Sequence, residues 1–300
     1  MLHASAEVED ALEAGRGVVA LESTVIAHGL PHPRNLEVAR ALEDEVRAGG
    51  AIPATVGVVG GQPIVGLSAA HIERLGTAKG VLKLSTRDLA VPVARGLDGA
   101  TTVAATMWVA SRAGVAVFAT GGIGGVHRGE ANDVSADLTE LGRTAMVVVC
   151  AGAKAILDLP ATREALETAG VLVAGYQTDE LPAFYSRESG LPVDVRVDSA
   201  EDVAALWRAH RGLAAPGAIL LCVPPPAEHA LPSSEVEMAI RDALEAADAR
   251  GIRGKEVTPF LLSSVAERTS GRSLDANVAL LRNNARVAAA VASAIAATAR

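Results

Sequence analysis

Short apolar runs alternate along the chain with segments whose apolar residues recur at helical spacing. Gly17–Leu21, Val115–Ala119 and Ala145–Val149 are such runs, and each ends in polar or glycine-rich residues. Asn35–Arg47 instead has an apolar residue every three or four positions and stops at two glycines. Continuous apolar strands that alternate with helices are typical of a mostly parallel sheet buried on both faces. The pattern therefore predicts an α/β fold.

The rest of the chain continues this alternation without an internal repeat or a linker. Gly60-Gly61-Gln62 separates the runs Thr55–Val59 and Pro63–Leu67, which predicts a hairpin. Further strands are predicted at Val171–Ala174 and Ala218–Val223. Further helices are predicted at Thr101–Ala113, Thr162–Ala169, Ser234–Arg250, Pro259–Thr269 and Leu274–Ala297. We therefore expect residues 1–300 to form one α/β domain.

Three chemically distinctive segments follow predicted strands. Glu22 follows the first strand, the glycine-rich stretch Thr120–Gly125 follows the second, and Lys154 comes shortly after the third. Ligands of parallel α/β sheets bind beyond the carboxyl ends of the strands. The shared position of these segments predicts a functional site at that edge of the sheet.

Charge and composition argue against several classes of function. The chain carries 27 basic and 35 acidic residues, a net charge of −8, and only 2% aromatic residues, which disfavours nucleic-acid binding. No apolar run approaches the roughly 18–20 residues that span a bilayer, and no signal peptide is recognisable. We expect a cytoplasmic protein with no nucleic-acid partner and no membrane attachment. Cys150 and Cys222 end apolar runs and are expected to be buried free thiols.

Lysine is rare in this chain, although arginine is not. The other 23 basic residues are arginines, and the four lysines are Lys79, Lys83, Lys154 and Lys255. A lysine amine can lose its proton and attack a carbon centre, which a guanidinium cannot do. Small residues precede Lys154 and leave room for a ligand beside its amine. Taken alone, however, a lysine in this position is more often a solvated residue at the start of a helix.

The glycine-rich stretch is followed by acidic residues. The run T-G-G-I-G-G-V-H-R-G (120–129) can turn backbone N–H groups towards an anion, or it can form only a tight turn. It lacks the Gly-Lys-Ser/Thr of a Walker loop. Asp133 and Asp137 are four residues apart, so on one helix face they would bind a hard divalent cation. At a helix N-terminus they would only face the helix dipole.

Two further polar positions have alternative interpretations. Glu22 is either a proton donor or the cap of a turn. His28 and His32 have side chains that can ligate a metal, but the glycine and proline between and beside them favour a shaped loop.

Several segments in order resemble one enzyme family, the pseudouridine-5′-phosphate glycosidases, also described as indigoidine synthase A-like proteins. The match extends from about residue 15 to about residue 290. Each segment is modestly specific, and their occurrence together is highly specific. The segments are A-L-E-S-T-V-I-A-H-G-L-P-H-P, V-G-L-S, V-L-K-L-S-T-R-D-L, G-A-T-T-V-A-A-T-M, F-A-T-G-G-I-G-G-V-H-R-G, D-V-S-A-D-L, V-V-C-A-G-A-K-A-I-L-D, G-K-E-V-T-P-F-L-L and S-L-D-A-N-V-A-L.

The resemblance implies a three-layer α/β/α sandwich with a mostly parallel central sheet, assembled as a homotrimer. It implies reversible cleavage of pseudouridine 5′-phosphate to uracil and ribose 5-phosphate, in pseudouridine catabolism, through a lysine Schiff base. The implied cofactor is Mn²⁺ or another divalent cation.

The resemblance also implies a role for individual residues. The catalytic residues are Lys154, the covalent nucleophile, and Glu22, the proton donor. Asp133 is implied to hold the metal. The implied substrate-binding residues are Lys83, Val103 through its backbone, Ser135, Ala136, Asp137 and, facing uracil, Asn277. One departure is Val223, where relatives carry asparagine.

Two alternative functions fit the same residues. The first is a related sugar-phosphate lyase in a pigment-biosynthesis cluster, which would retain Lys154 and Asp133 and differ only in substrate. The second is a sugar-phosphate sensor without turnover, which is disfavoured because every implied catalytic position is present.

Overall fold

The protein is an arrangement of helices around a large, mostly parallel sheet, as seen in a computed structural model that describes residues 2–252 and 257–298. Lys255 and the Gly-Lys-Glu segment 254–256 of the family pattern lie outside the described residues. The strands are β1 His3–Ala4, β2 Val18–Leu21, β3 Ile52–Val59, β4 Gln62–Val65, β5 Leu82–Leu84, β6 Gly99–Thr101, β7 Val117–Ala119, β8 Val126–His127, β9 Glu130–Val134, β10 Val147–Cys150, β11 Leu157–Asp158, β12 Leu172–Tyr176, β13 Val195–Val197 and β14 Ile219–Cys222.

The helices occupy most of the segments between the strands. They are α1 Ala6–Glu13, α2 Arg34–Ala48, α3 Ala69–Thr77, α4 Ala90–Arg95, α5 Val103–Arg112, α6 Ala136–Leu141, α7 Leu159–Thr168, α8 Ala200–Gly212, α9 Ser233–Ala249, α10 Val257–Arg268 and α11 Arg272–Thr298. A π-helical turn at Val25–Gly29 and a 3₁₀ turn at Thr86–Asp88 complete the helical structure. None of the described helices is long and apolar enough to cross a membrane.

The main sheet has a parallel centre and an antiparallel edge. Its strand order is β1-β4-β3-β2-β7-β10-β14-β12-β13, and every pair from β3 to β13 is parallel. β4 and β6 pair antiparallel with β3. β8, β9 and β11 form a separate small antiparallel sheet. The mostly parallel α/β fold that the apolar runs predicted is confirmed.

The central strands β2, β10 and β14 are short and buried on both faces. All four residues of β2, β10 and β14 are buried, and small apolar side chains fill the space between sheet and helices. α11 packs against α2, α8 and three central strands, while α5 packs against α6 and against β2 and β3. The sheet is therefore covered by two groups of helices, as expected for an α/β/α sandwich.

The hairpin predicted around the two glycines is confirmed, with β3 and β4 joined through Gly60 and Gly61 at φ of 57° and 81°. Glycine tolerates these left-handed angles, which two-residue hairpin turns require. The helix predicted over Thr101–Ala113 begins later, because Thr101 belongs to β6 and the Thr102 hydroxyl caps α5. Val103 is thereby the first residue of the helix. α3 and α8 were not predicted.

Candidate active site

Three neighbouring strands end at one edge of the sheet and carry the predicted chemical groups there. β2 precedes Glu22, β7 precedes the glycine-rich stretch, and β10 precedes the turn that contains Lys154. β2 and β10 lie on either side of β7. The two loops are joined, since the Ile123 N–H donates to the Gly152 carbonyl at 3.1 Å and the Lys154 N–H donates to the Ile123 carbonyl at 3.0 Å. The sheet therefore brings the three segments together as predicted.

A cavity of about 400 Å³ opens at this edge of the sheet. The cavity is lined by all nine site residues predicted from the sequence, which are Glu22, Lys83, Val103, Asp133, Ser135, Ala136, Asp137, Lys154 and Asn277. These residues come from segments spread over more than 250 positions of the chain. Val223, the departure from the family pattern, is buried and lies outside this lining.

The Glu22 carboxylate is held by two threonine hydroxyls. It is buried, one of its oxygens accepts a hydrogen bond from Thr24, and the other accepts one from Thr120. Thr120 is fixed in turn by Asn284, whose side-chain amide donates to the Thr120 carbonyl at 2.8 Å. Both carboxylate oxygens are thus oriented by donors within the protein, which fixes the direction in which Glu22 can exchange a proton.

Lys154 is half-buried, and its amine has no hydrogen-bond or ion-pair partner among the described residues. The turn that follows it is fixed by Arg128, which donates to the carbonyls of Ala155 at 3.1 Å and Leu157 at 3.0 Å. The same guanidinium makes two 2.7 Å hydrogen bonds to Glu237 on α9. These hydrogen bonds hold the pKa of Glu237 below its usual value, against the opposing effect of burial. The backbone beside the amine is therefore anchored while the amine itself faces the cavity.

Asp133 and Asp137 do not share a helix face, so that interpretation of their spacing was wrong. Asp133 lies in β9, whereas Asp137 lies in the first turn of α6 after the capping residue Ser135. The buried Asp137 carboxylate accepts hydrogen bonds from the backbone N–H groups of Ala104 at 2.9 Å and Gly124 at 2.8 Å. The alternative, an acidic residue at a helix N-terminus, is correct for Asp137.

The Asp133 carboxylate is available to a cation, whereas that of Asp137 accepts hydrogen bonds from two backbone N–H groups. The Asp133 side chain is exposed in the cavity and has no hydrogen-bond partner among the described residues. Hard divalent cations are often held by one or two carboxylates together with water and substrate phosphate. Within residues 2–252 and 257–298, no three His, Cys, Asp or Glu side chains cluster. The donor set therefore fits a cation held by Asp133 as a single carboxylate.

The cavity lining includes charged residues that the sequence reasoning did not assign, namely Arg87 and Asp88, whose side chains are 3.7 Å apart. Lys83, Ser85 and Arg87 alternate along β5 and the segment after it, and all three line the cavity. His28 also lines it, and its Nε2 donates to the Val81 carbonyl at 3.0 Å. Burial lowers the pKa of His28, the positive charge of Lys83 adds to this effect, and the Val81 hydrogen bond opposes it. The alternation K-x-S-x-R was the signal that could have identified this group.

His32 is exposed and lies outside the cavity lining, so the two histidines are not brought together around a metal. Asn277 and several apolar side chains also line the cavity. Leu262 of α10 and Leu281 of α11 line it together with Phe184, which the sequence reasoning missed. Nothing in the apolar pattern around residue 184 indicated a ligand contact.

A sequence model of the family described as indigoidine synthase A-like proteins matches residues 7–294. The chain belongs to the indigoidine synthase A-like family. Proteins named pseudouridine-5′-phosphate glycosidase are close relatives of this family member. The one from Chloroflexus aurantiacus is 60% identical over 97% of this chain and 98% of its own length. That from a Roseiflexus species is 61% identical over 97% of this chain and 95% of its own.

Solved structures of the family have the same fold as this family member. The prealnumycin C-glycosynthase AlnA, solved in complex with ribulose 5-phosphate, is 43% identical with a TM-score of 0.92, and the match covers 100% of this chain and 98% of that one. An indigoidine synthase A-like protein from Thermotoga maritima is 36% identical with a TM-score of 0.90, over 99% and 97% of the two chains. The family predicted from the sequence is confirmed, and with it the prediction that the chain is an enzyme.

Proposed function

We propose that this family member catalyses the reversible cleavage of pseudouridine 5′-phosphate and water to uracil and ribose 5-phosphate. The observation that carries the proposal is the placement of Lys154 and Glu22 in one cavity, each just beyond the end of a central strand. Identities of about 60% to proteins named for this activity support the choice of substrate.

The bond to be broken explains why an amine is needed beside an acid. An ordinary glycosidase protonates an oxygen or nitrogen leaving group. In pseudouridine the sugar carbon C1′ is bonded to carbon C5 of uracil, and that carbon has no lone pair to protonate. Departure of uracil therefore requires a route by which the electrons of the C–C bond reach uracil and the sugar carbon is stabilised.

Lys154 supplies that route as a covalent nucleophile. Its amine nitrogen bonds to C1′ and the ring oxygen leaves with a proton, which opens the sugar. The nitrogen lone pair then forms a C1′=N iminium while the C1′–C5 bond breaks. The electron pair of the broken bond stays on C5 of uracil, where it takes up a proton. Water hydrolyses the iminium, releases ribose 5-phosphate and restores the amine.

Glu22 is the proposed donor of the proton to C5. Its carboxylate is fixed by Thr24 and Thr120, so the proton is delivered from a defined direction. Asn277, which also lines the cavity, is proposed to face uracil.

The phosphate is proposed to bind near Lys83, Arg87 and the start of α5 at Val103, all of which line the cavity. Ser135, Ala136 and Asp137 shape the wall between the glycine-rich loop and the start of α5, since Asp137 bonds to both Gly124 and Ala104. Asp133 would hold the divalent cation, proposed to be Mn²⁺. When bound, the cation would neutralise negative charge on the substrate.

We further propose that residues 1–300 act as one domain, that the enzyme is a homotrimer, and that it works in the cytoplasm in pseudouridine catabolism. The family resemblance supports these points, and the family match over residues 7–294 includes every strand from β2 to β14. Light scattering during size-exclusion chromatography tests the trimer, and a monomeric mass would refute it.

A turnover assay tests the activity. The purified protein with Mn²⁺ and pseudouridine 5′-phosphate is expected to release uracil, detected by liquid chromatography. Lys154→Arg is the matched control, because it retains the positive charge and cannot form the iminium. No uracil from the wild-type protein would contradict the proposal.

A second candidate function is suggested by AlnA, a C-glycosynthase with a TM-score of 0.92 to this chain. This family member would then join a sugar phosphate to a different carbon acceptor. A substrate screen with ribose 5-phosphate and a panel of acceptors distinguishes the two functions. Product formation with an aromatic acceptor other than uracil, and none with uracil, would favour this alternative.

A further inference from the structure

Phe184 has a backbone conformation that a bulky residue rarely adopts. Its φ is 64°, in the left-handed region that favours glycine. Its N–H donates to the carbonyl of Ala151 at 3.0 Å, which ties it to the turn that leads to Lys154. Such strained residues cluster at ligand sites, where the surrounding structure holds them in place.

The Phe184 ring is locked against the glycine-rich loop. A Cβ atom at Gly122 would lie 2.7 Å from two ring carbons of Phe184, so the ring occupies the place of a side chain at position 122. The ring also makes an edge contact with Tyr185, at 4.7 Å between centroids and 73° between planes. Phe184 is only 2% exposed although it lines the cavity. The direction of the ring is therefore fixed.

The same loop places Phe184 near the residue proposed to face uracil. A Cβ atom at Gly121 would lie 3.5 Å from the Asn277 side-chain oxygen and 3.2 Å from Leu281. Phe184 and Asn277 thus approach two adjacent glycines and line the same cavity. Among the described residues of the lining, Phe184 is the only one with a benzene ring. An aromatic ring and a polar amide in one lining match a planar base with a hydrogen-bonding edge.

We infer that the Phe184 ring forms one wall of the nucleobase subsite and contributes to specificity for a planar pyrimidine. This inference rests on the proposed function, since it assigns the base to a position beside Asn277 and the phosphate to a position beside Lys83. Gly122 is then required as glycine, because a side chain there would displace the ring.

The reverse reaction tests the inference, because uracil and ribose 5-phosphate are separate substrates with separate KM values. Phe184→Leu retains an apolar side chain and removes the flat ring. We expect its KM for uracil to rise by about 3- to 10-fold, the range for loss of an aromatic contact, and its KM for ribose 5-phosphate to stay within about 2-fold. Tyr185→Phe, outside the cavity lining, is the matched control and is expected to leave both KM values unchanged.

If Phe184→Leu changes both KM values equally, or neither, the inference is overturned. The proposed function still stands in that case, provided that the wild-type enzyme turns over its substrates. A wild-type protein that makes no pseudouridine 5′-phosphate would overturn both. If Phe184→Leu does not fold, NMR of uracil with the wild-type enzyme, ribose 5-phosphate and Mg²⁺ replaces it. An upfield ring-current shift of the uracil C6 proton on binding is expected, and its absence would refute the contact.

Discussion

Replacement of Asp137 by alanine removes the acceptor of two backbone N–H groups, one buried and one part-buried. The Asp137 carboxylate, 5% exposed as a residue, joins Gly124 of the glycine-rich loop to Ala104 at the start of α5. A hydrogen bond to a charged acceptor contributes about 1.5–3 kcal/mol. Loss of both is expected to lower the free energy of unfolding by about 3–6 kcal/mol. With an unfolding entropy of roughly 0.6 kcal/mol/K for 300 residues, Tm should fall by about 5–10 °C.

Calorimetry of Asp137→Ala beside Asp133→Ala measures this effect. Asp133 is exposed and unbonded among the described residues, so its replacement should change the free energy of unfolding by less than about 0.5 kcal/mol. Mn²⁺ should bind more weakly to Asp133→Ala. Asp137→Asn keeps one acceptor and should lose about half as much stability as Asp137→Ala. Equal Tm values for Asp133→Ala and Asp137→Ala would refute the structural role assigned to Asp137.

Three further predictions concern positions around the site. Gly124→Ala would place a Cβ 2.3 Å from the Ser135 hydroxyl and should lower both Tm and turnover, whereas Gly212→Ala, with open space around it, should be neutral by both measurements. The pKa of His28 is lowered in the folded protein, so its stabilising effect is present above pH 6.5 and is lost as pH falls through the folded pKa. The free energy of unfolding, measured with urea, should therefore fall less on acidification in His28→Asn than in the wild type. Because the pKa of Glu237 is also lowered, its stabilising effect is lost as pH falls below 4.5, and Glu237→Gln should remove that acid dependence. Since the Glu237 side chain is 56% exposed, the replacement should shift Tm at neutral pH by less than about 2 °C.

The position of the site was predictable because the central strands are short and buried. β2, β7 and β10 coincide with apolar runs in the sequence. Because these strands are parallel, Glu22 and Lys154 lie at the same edge of the sheet, beyond the carboxyl ends of the strands. The four-residue spacing of Asp133 and Asp137 predicted a shared helix face and was wrong, because Asp133 lies in β9, which pairs with β8 and whose sequence E-A-N-D-V has no strand-like alternation. Strand formation there depends on long-range contacts that sequence spacing does not reveal.

Contacts between distant segments were also not predicted from the sequence. The ring of Phe184 packs on Gly122, and Arg128 bonds to the backbone after Lys154 and to Glu237. These pairs are separated by tens of residues, and the hydrophobic pattern contains no information about them. The glycines at 121–125 were predicted to matter, but the structure shows why several of them are needed: neighbouring side chains already fill the space of a Cβ.

The central claim is that Lys154 forms a covalent iminium with the sugar, and borohydride reduction tests it most directly. Incubation of the wild-type enzyme with ribose 5-phosphate and borohydride should trap a stable amine adduct. Peptide mass spectrometry should map the adduct to Lys154, and Lys154→Arg should carry none. An adduct on another lysine, or a fully active enzyme with no adduct at Lys154, would contradict the account.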